Sequence, residues 1–257
     1  AATVFYERQN EQVYRNDLQM RVSGDLALTV ARLRSEMNSD AAALRSVANM
    51  ISVTTDHAAA QFNAMAGRLM LQNGHIRRIG LAPDGKVSHA FPTSGNQRYL
   101  GTDFKRFPSF RHAVRSERGL GEPRIFGPVE FAKGGRGFNL FVPVFTQVGG
   151  RQHLWGYVDG VIDERKLLID AGLITEGQRV RHGISQHATD MELAIRDISV
   201  PDNINDPFFG NAEVFESNPV VQVLSFPGGT WEVGAIPTQC WHHPPEYLAQ
   251  IRLTAIA

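Results

Sequence analysis

Residues 123–173 decide how this chain folds; they read PRIFGPVEFAKGGRGFNLFVPVF (123–145), a short loop, and WGYVDGVIDERKLLIDAGL (155–173). Three apolar runs in this stretch, rich in Val, Ile and Phe, are separated by the glycine pairs 134–135 and 149–150. Short runs of this composition bounded by Gly are typical of antiparallel strands joined by tight turns. The stretch therefore predicts three strands, at residues 124–132, 137–145 and 155–162.

Two further strands and a helix complete the predicted sheet. The two further strands are predicted at residues 76–81 and 86–91, on either side of the triplet Pro-Asp-Gly at 83–85. This triplet strongly favours a hairpin turn, because Pro fixes φ and Gly takes the left-handed position. After the third central strand, Asp163 is expected to cap a helix over Glu164–Asp170. The result is a five-stranded antiparallel sheet with helices on one face, which is a PAS-like unit.

The sequence after residue 173 repeats this pattern more weakly. The predicted strands are residues 178–186, 191–198, 220–226 and 230–236, with the turn Pro-Gly-Gly at 227–229 between the last two. We interpret this part as a second, smaller PAS-like unit in which Trp231 is a core residue. Residues 245–257 look helical.

The first fifty residues predict one long helix, because residues 5–70 contain no Pro. Apolar side chains recur mostly three or four positions apart, at Val22, Leu26, Val30, Leu33, Met37, Leu44, Val47 and Ile51. A helix over residues 6–51 would be roughly 70 Å long, so part of it is expected to project as a stalk. We interpret the stripe as a seam that pairs two parallel protomers; the alternative is that it packs on its own domain.

Composition excludes several classes of protein. The chain has 26 basic and 26 acidic residues, so no long-range field attracts phosphate backbones and nucleic acid is not an expected partner. Hydrophobic residues make up 42% of the chain, which is enough for a packed core. The single cysteine, Cys240, excludes an internal disulfide and a Cys-based zinc site.

No pattern for catalysis, metal binding or a cofactor is found, and this fragment is not expected to be an enzyme. The run Gly-Gly-Arg-Gly at 134–137 is followed by a strand and not by a helix start, so it predicts a hairpin turn rather than a phosphate cradle. The nine histidines show no metal-ligand spacing. Asp159 and Asp163 stand four residues apart across a strand-to-helix junction, where a catalytic pair is not expected to converge.

The central stretch closely resembles the bacterial CHASE domain, an extracytoplasmic sensory module. The resemblance is carried by GPVEFAKGGRGFNLFVPVF (127–145), WGYVDGVIDERKLLIDAGL (155–173), IRRIGLAPDGKVSHAFPTSGNQRYLGTDF (76–104) and FPGGTWEVGAIPTQCW (226–241). It implies the periplasmic or extracellular portion of an inner-membrane receptor, with one membrane helix before Ala1 and another after Ala257. No apolar run within the chain approaches the roughly 18–20 residues that span a bilayer.

With this resemblance, the expected fold class is α/β (α+β), with a long N-terminal stalk helix followed by two PAS-like antiparallel-sheet domains in tandem. The expected parts are a stalk or dimerisation helix (1–52), a membrane-distal ligand-binding domain (53–173), a membrane-proximal domain (174–241) and a juxtamembrane segment (242–257).

A ligand pocket is expected between the sheet of the first domain and the helix and loop that cover it. Residues alternate across a strand, so Asn139 and Phe141 share one face, as do Tyr157 and Asp159 on the next strand. The covering helix, predicted at residues 110–118, contributes Phe110 and Arg111, and the first central strand contributes Phe126. The alternative is that the aromatic residues belong to the ordinary core.

Plant cytokinin receptors, which are relatives of the CHASE domain, imply ligand contacts at a backbone group near Ala132 and at side chains matching Phe126 and Phe141. In those receptors an Asp beside the covering helix holds the adenine ring, whereas residues 108–111 here read PSFR. A cytokinin-like adenine is therefore not expected. Arg111 at the pocket mouth predicts a carboxylate or another anion instead, unless its side chain points outward.

The predicted function is that of a sensor that binds a small ligand in the first domain. The signal would pass through the second domain and a homodimer of stalk helices to a cytoplasmic histidine kinase, or to a cyclic-dinucleotide synthase (diguanylate cyclase) or phosphodiesterase. The alternative is a structural dimerisation or protein-docking module without a small ligand. A filled, apolar pocket core favours the docking module, whereas a cavity that holds a bound molecule or polar groups favours the sensor.

Overall fold

The computed structural model of this chain describes residues 2–53, 58–107, 110, 121–131, 134–177, 191–199, 206–238 and 241. They divide into two compact units. The large-sheet unit comprises residues 32–171 and 225–230; the small-sheet unit comprises residues 1–31, 172–224 and 231–257, as far as these are described.

The large-sheet unit contains the predicted five-stranded antiparallel sheet. Its strands are β1 (Ile76–Pro83), β2 (His89–Phe91), β3 (Arg124–Glu130), β4 (Arg136–Val148) and β5 (Arg151–Asp163). Their order across the sheet is β2-β1-β5-β4-β3, and every neighbouring pair is antiparallel. β2 is shorter than predicted because Lys86 makes an isolated bridge to Asp103 instead of joining the ladder.

The turn between β3 and β4 is the expected hairpin. Gly134 and Gly135 have φ values of +84° and +85°, the left-handed region that favours glycine. Arg136, the next residue, makes a bidentate ion pair with Glu164, with N–O distances of 2.8 and 2.6 Å. Pro143 lies in β4 beyond Phe141, the last residue that pairs with β3, so no residue of β3 depends on its missing N–H.

The helix α3 (Glu164–Asp170) follows β5 as predicted. The side chain of Asp163 accepts a hydrogen bond of 3.1 Å from the backbone N–H of Lys166, which is the expected N-cap. Asp163 therefore has a structural role.

Two helices precede the sheet, α1 (Ala2–Val53) and α2 (Ala58–Gln72). The apolar stripe of α1 is buried within the single chain: Val22, Leu26, Val30, Leu33, Met37, Leu44, Val47 and Ile51 are at most 4% exposed. The interpretation of this stripe as a seam between protomers is therefore wrong, and packing on its own domain is confirmed. Helical periodicity shows that a stripe is buried but does not show what covers it.

In the large-sheet unit, α1 packs on one face of the sheet. The side chain of Leu44 fills the space above Gly160 of β5, where a β-carbon would overlap with it. Val158 and Ile162 alternate onto the same face and are fully buried. Gly160 is thus needed for the close approach of the helix.

The small-sheet unit contains β6 (Met191–Asp197), α4 (Glu213–Glu216) and most of β7 (Val220–Phe226) and β8 (Gly229–Pro237), whose connecting turn groups with the large-sheet unit. The strands have the order β6-β8-β7, in a sheet separate from the first. Trp231 is 1% exposed and lies 4.9 Å, ring to ring, from Phe208, which confirms it as a core residue. The predicted strand at 178–186 and helix at 245–257 lie outside the described residues.

The expected separate stalk at residues 1–52 is not a unit of its own, because α1 is shared: residues up to 31 group with the small sheet and residues from 32 with the large sheet. None of the helices described in the structure is both long enough and apolar enough to cross a bilayer.

Candidate functional site

An aromatic cluster covers the face of the large sheet that points away from Leu44 and Gly160. Its members are Phe104, Phe110, Phe141 and Tyr157, with Tyr99 and Phe126 packed against them. The ring of Phe110 lies 5.1 Å from those of Phe141 and Tyr157, edge to face in both cases. Such pairs are favourable and leave the sheet face apolar.

Four of the eight predicted site residues meet in this cluster: Phe110, Phe126, Phe141 and Tyr157. Asn139 is half-buried and lies opposite Phe126 in the β3–β4 register. Asp159 lies two residues beyond Tyr157 on the same face, and it is fully buried. The remaining two, Arg111 and Ala132, lie outside the described residues.

Asp159 is the centre of a polar network at the edge of the aromatic cluster. Its Oδ2 accepts a hydrogen bond of 2.9 Å from the Tyr99 hydroxyl and one of 3.2 Å from Nη2 of Arg78. The Arg78 guanidinium also stacks on the Tyr99 ring, 3.3 Å from its centroid. We call these three residues the Asp159 network.

Two polar atoms of the Asp159 network have no hydrogen-bond partner among the described residues. They are Oδ1 of Asp159 and Nε of Arg78, and both are buried. A buried acceptor or donor without a partner costs free energy, because the hydrogen bonds it made to water are not replaced. A small molecule with one donor and one acceptor group would satisfy both atoms.

The protonation of the network follows from its burial. Burial raises the pKa of Asp159, and the charge of Arg78 and the hydrogen bond from Tyr99 oppose this. Burial and then the charge of Asp159 raise the pKa of Tyr99, so the phenol stays protonated and acts as a donor. A further cationic donor at Oδ1 would favour the charged form of Asp159.

The neighbouring strand leaves space for this carboxyl group. Gly80 on β1 lies directly opposite Asp159 on β5, and a β-carbon at Gly80 would overlap with Oδ1. A glycine at this position therefore lets the carboxyl lie flat against the neighbouring strand.

Sequence reasoning missed Arg78, Tyr99 and Phe104. Arg78 carries a signal, because strict alternation places it on the same face as Gly80, and a charged residue on a buried sheet face is unusual. Tyr99 and Phe104 lie in short 3-10 turns between β2 and β3, where no periodicity marks a side chain as buried.

The small-sheet unit has an open cleft of its own, with a volume of about 610 Å³. Its lining includes Gln12, Asn16 and Gln19 from α1 and Ser217 and Asn218 after α4. These side chains are polar, and none of the five is buried. Ligand sites are mostly apolar with a few converging polar groups, a composition that the aromatic cluster and the Asp159 network have and that the lining residues named for this cleft do not.

Comparison with known proteins identifies similar sequences and folds. The sequence profile described as the CHASE domain matches residues 35–205. No protein of curated function matches the chain by sequence.

Several solved structures of bacterial receptors share the fold. The ligand-binding domain of the Pseudomonas aeruginosa amino acid chemoreceptor PctC, in complex with GABA, has a TM-score of 0.54 at 13% identity, with 81% of this chain and 95% of that domain covered. The sensory domain of the Campylobacter jejuni chemoreceptor Tlp3 has a TM-score of 0.57 at 9% identity, with 91% and 98% covered. An extracellular ligand-binding receptor from Desulfohalobium retbaense has a TM-score of 0.58 at 14% identity; the match covers 82% of this chain and 39% of that receptor. At these identities the likeness concerns the fold alone.

Proposed function

Because the chain belongs to the CHASE domain family, a family of extracytoplasmic sensors, we propose that its small ligand binds against the Asp159 network and the aromatic cluster. The sensory fold is not that of a catalytic domain. The observation that carries the proposal is the pair of buried atoms without partners among the described residues, Oδ1 of Asp159 and Nε of Arg78. A docking module needs an apolar face and gains nothing from such atoms, whereas a ligand site uses them for orientation.

We propose that the ligand is an amino acid or a similar small zwitterion. Its ammonium group would bind Oδ1 of Asp159, its carboxylate would reach Nε of Arg78, and its apolar part would lie against Phe141 and Tyr157. The complexes of PctC with GABA and of Tlp3 with isoleucine support this class, since both compounds carry an amine and a carboxylate. The expected contribution of Arg111 to anion binding stays a prediction.

The test is a thermal-shift screen of the common amino acids, GABA and adenine, followed by calorimetric titration of each compound that raises the melting temperature. The variant is Asp159→Asn, and the matched control is Glu130→Gln, an exposed carboxylate on β3 of the same sheet. Charged hydrogen bonds contribute about 1.5–3 kcal/mol, so Asp159→Asn is expected to weaken binding by roughly 10- to 150-fold. Glu130→Gln should bind as the wild type does.

Three outcomes contradict parts of this proposal. A ligand that binds wild type and Asp159→Asn equally places the site elsewhere. Binding of adenine but of no amino acid leaves the sensor function and refutes the zwitterion. Binding of no compound in a screen widened to other small metabolites favours the docking module.

We further propose that the receptor is a homodimer that pairs through a different face of α1 from the buried stripe. Val13, Met20 and Leu28 are 63%, 68% and 52% exposed. At about 100° per residue they lie within roughly 80° of one another around the helix, on the side opposite Leu26. Large apolar side chains aligned on one helix face are typical of helix pairing.

Met20→Asp with Leu28→Asp is expected to give a folded monomer, as measured by light scattering and circular dichroism. Gln19→Asp, an exposed position off this face, is the control and should remain dimeric. A wild-type chain that is monomeric at its highest soluble concentration would contradict pairing in the absence of membrane helices.

We also propose that the cytoplasmic output domain of the receptor is a histidine kinase or a cyclic-dinucleotide enzyme.

A further inference from the structure

A second buried polar cluster lies on the other side of the large-sheet unit, and the proposed ligand site does not use it. His75, just before β1, is 3% exposed and stands between two carboxylates. Its Nε2 lies 2.8 Å from Oδ1 of Asp40 on α1, and its Nδ1 lies 3.1 Å from Oδ2 of Asp170 at the end of α3. We call these three residues the His75 cluster.

The geometry of the His75 cluster requires bound protons. Ionised carboxylate oxygens only accept hydrogen bonds, and a neutral imidazole has a single N–H. Both ring nitrogens face carboxylate oxygens. In a neutral ring, the lone pair of one nitrogen would therefore point at a lone pair of a carboxylate oxygen. The imidazolium instead presents one N–H to each carboxylate: the contact with Asp170 is a hydrogen bond, and the contact with Asp40 has an ion-pair distance without hydrogen-bond alignment among the described residues. The carboxylates lie on opposite sides of one ring, so they do not converge on a shared metal ion.

The charged groups around His75 also favour its protonated form. On α1, the negative charge of Glu36 acts on the imidazole together with Asp40, which is fully buried and makes no hydrogen bond with either carboxylate oxygen among the described residues. From α3, Nζ of Lys166 is held by the carbonyl oxygen of Gly74, 3.2 Å away. Near the start of β1, Arg77 is paired with Asp163 at 3.4 Å. The two nearby cations thus have other partners.

The pKa directions agree with this geometry. Burial by itself lowers the pKa of His75, but the close contact and charge of Asp40, and then the hydrogen bond of Asp170, outweigh it and raise the pKa. Burial raises the pKa of Asp40, although His75 opposes this. Both groups therefore hold protons more tightly in the folded chain than in the unfolded chain.

We propose that the His75 cluster is a proton-binding site that clamps α1 to α3 and makes this sensor respond to external pH as a second input. When the imidazole is charged, it bridges the two helices through both carboxylates. When it loses a proton, one of the two contacts becomes repulsive and the clamp weakens. This inference is independent of which small ligand the aromatic face binds.

The sign of the pH dependence follows from linkage. Because the folded pKa of His75 is raised, its stabilisation is fully present below about pH 6.5, the unfolded value, and is lost as pH rises through the folded pKa. The raised pKa of Asp40 acts in the same direction, since folding disfavours its ionised form above about pH 3.9. Acidification from alkaline to mildly acidic pH therefore strengthens the clamp.

The experiment compares the wild type, His75→Gln and Asp170→Asn with the control His153→Gln, which replaces an exposed histidine on β5. Melting temperatures are measured from pH 5.5 to 9, and the imidazole signals of the wild type are titrated by NMR with labelled histidine. The wild type and the control should lose melting temperature as pH rises, by roughly 3–6 °C for each tenfold loss in the folding constant. His75→Gln should lack this part of the slope, and Asp170→Asn should show less of it.

Two results would overturn the proposal. One is an NMR titration in which the His75 signal, assigned by its absence in His75→Gln or by sequential assignment, changes at or below the ordinary histidine pKa. The other is a pH slope that is the same in wild type and Asp170→Asn. Asp170 is half-exposed, so Asp170→Asn remains informative even when His75→Gln does not fold.

Discussion

The two faces of the large sheet are made by alternate residues of the same strands and yet are filled by different chemistry. On the face toward α1, Leu44 lies on Gly160 between Val158 and Ile162, and all of these contacts are apolar. On the opposite face, the aromatic cluster borders the network of Arg78, Tyr99 and Asp159. The same strand register therefore gives the sheet one face that is apolar and one face that combines aromatic with charged and polar side chains.

The difference indicates a structural role for the face toward α1 and supports the proposed ligand site on the face with Asp159. Burying an ion pair seldom stabilises a fold more than well-packed apolar residues of the same volume would. The face toward α1 follows that rule, whereas the face with Asp159 departs from it and leaves two polar atoms without partners among the described residues. Departures of this kind are expected where a protein binds something.

The largest effect is expected on the face toward α1. Leu44→Ala should lower the free energy of unfolding by about 2–5 kcal/mol, because it leaves a cavity above the sheet. Gly160→Ala should cost about 1–3 kcal/mol through overlap with Leu44. In the double variant the new methyl group fills part of the cavity, so the loss should be smaller than the sum.

Urea unfolding measures these changes, with Asn49→Ala on the exposed side of α1 as the control. Strict additivity of the two substitutions would show that Leu44 and Gly160 do not pack against each other as described.

An intermediate effect is expected at the charge on the other face. Asp159→Asn keeps the shape of the side chain but removes the counter-charge of Arg78, which should cost about 1–3 kcal/mol in urea unfolding. The same substitution should weaken ligand binding by the factor given above, which no substitution at Leu44 is expected to do while the domain remains folded. An unchanged or higher stability would mean that Asp159 is protonated in the ligand-free protein.

The smallest effect is expected at Tyr99. Tyr99→Phe removes the 2.9 Å hydrogen bond to Asp159 but keeps the ring on which Arg78 stacks. The loss should be about 0.5–1.5 kcal/mol in urea unfolding. Tyr99→Leu removes the stacking as well and should cost more; equal losses in the two variants would show that the stacking contributes nothing.

The sequence alone determined the strands, turns and caps of the large sheet. Glycine pairs, the Pro-Asp-Gly triplet and Asp163 act within a few residues of chain, so their consequences are readable locally. Alternation along β4 and β5 likewise predicts that Tyr157 and Asp159 share a face, as Asn139 and Phe141 do on the neighbouring strand.

Only the tertiary structure decided what covers each buried surface. The apolar stripe of α1 has the spacing of a dimer seam, but it is buried within the single chain. The periodicity of apolar residues is the same whether a second protomer or the same chain covers the helix. Arg78, Tyr99 and Asp159 come from separate segments, as do Asp40, His75 and Asp170, and each set meets only when the chain folds. Local patterns report which side of an element is buried; long-range packing chooses the partners, because contact energies depend on distance in space and not along the chain.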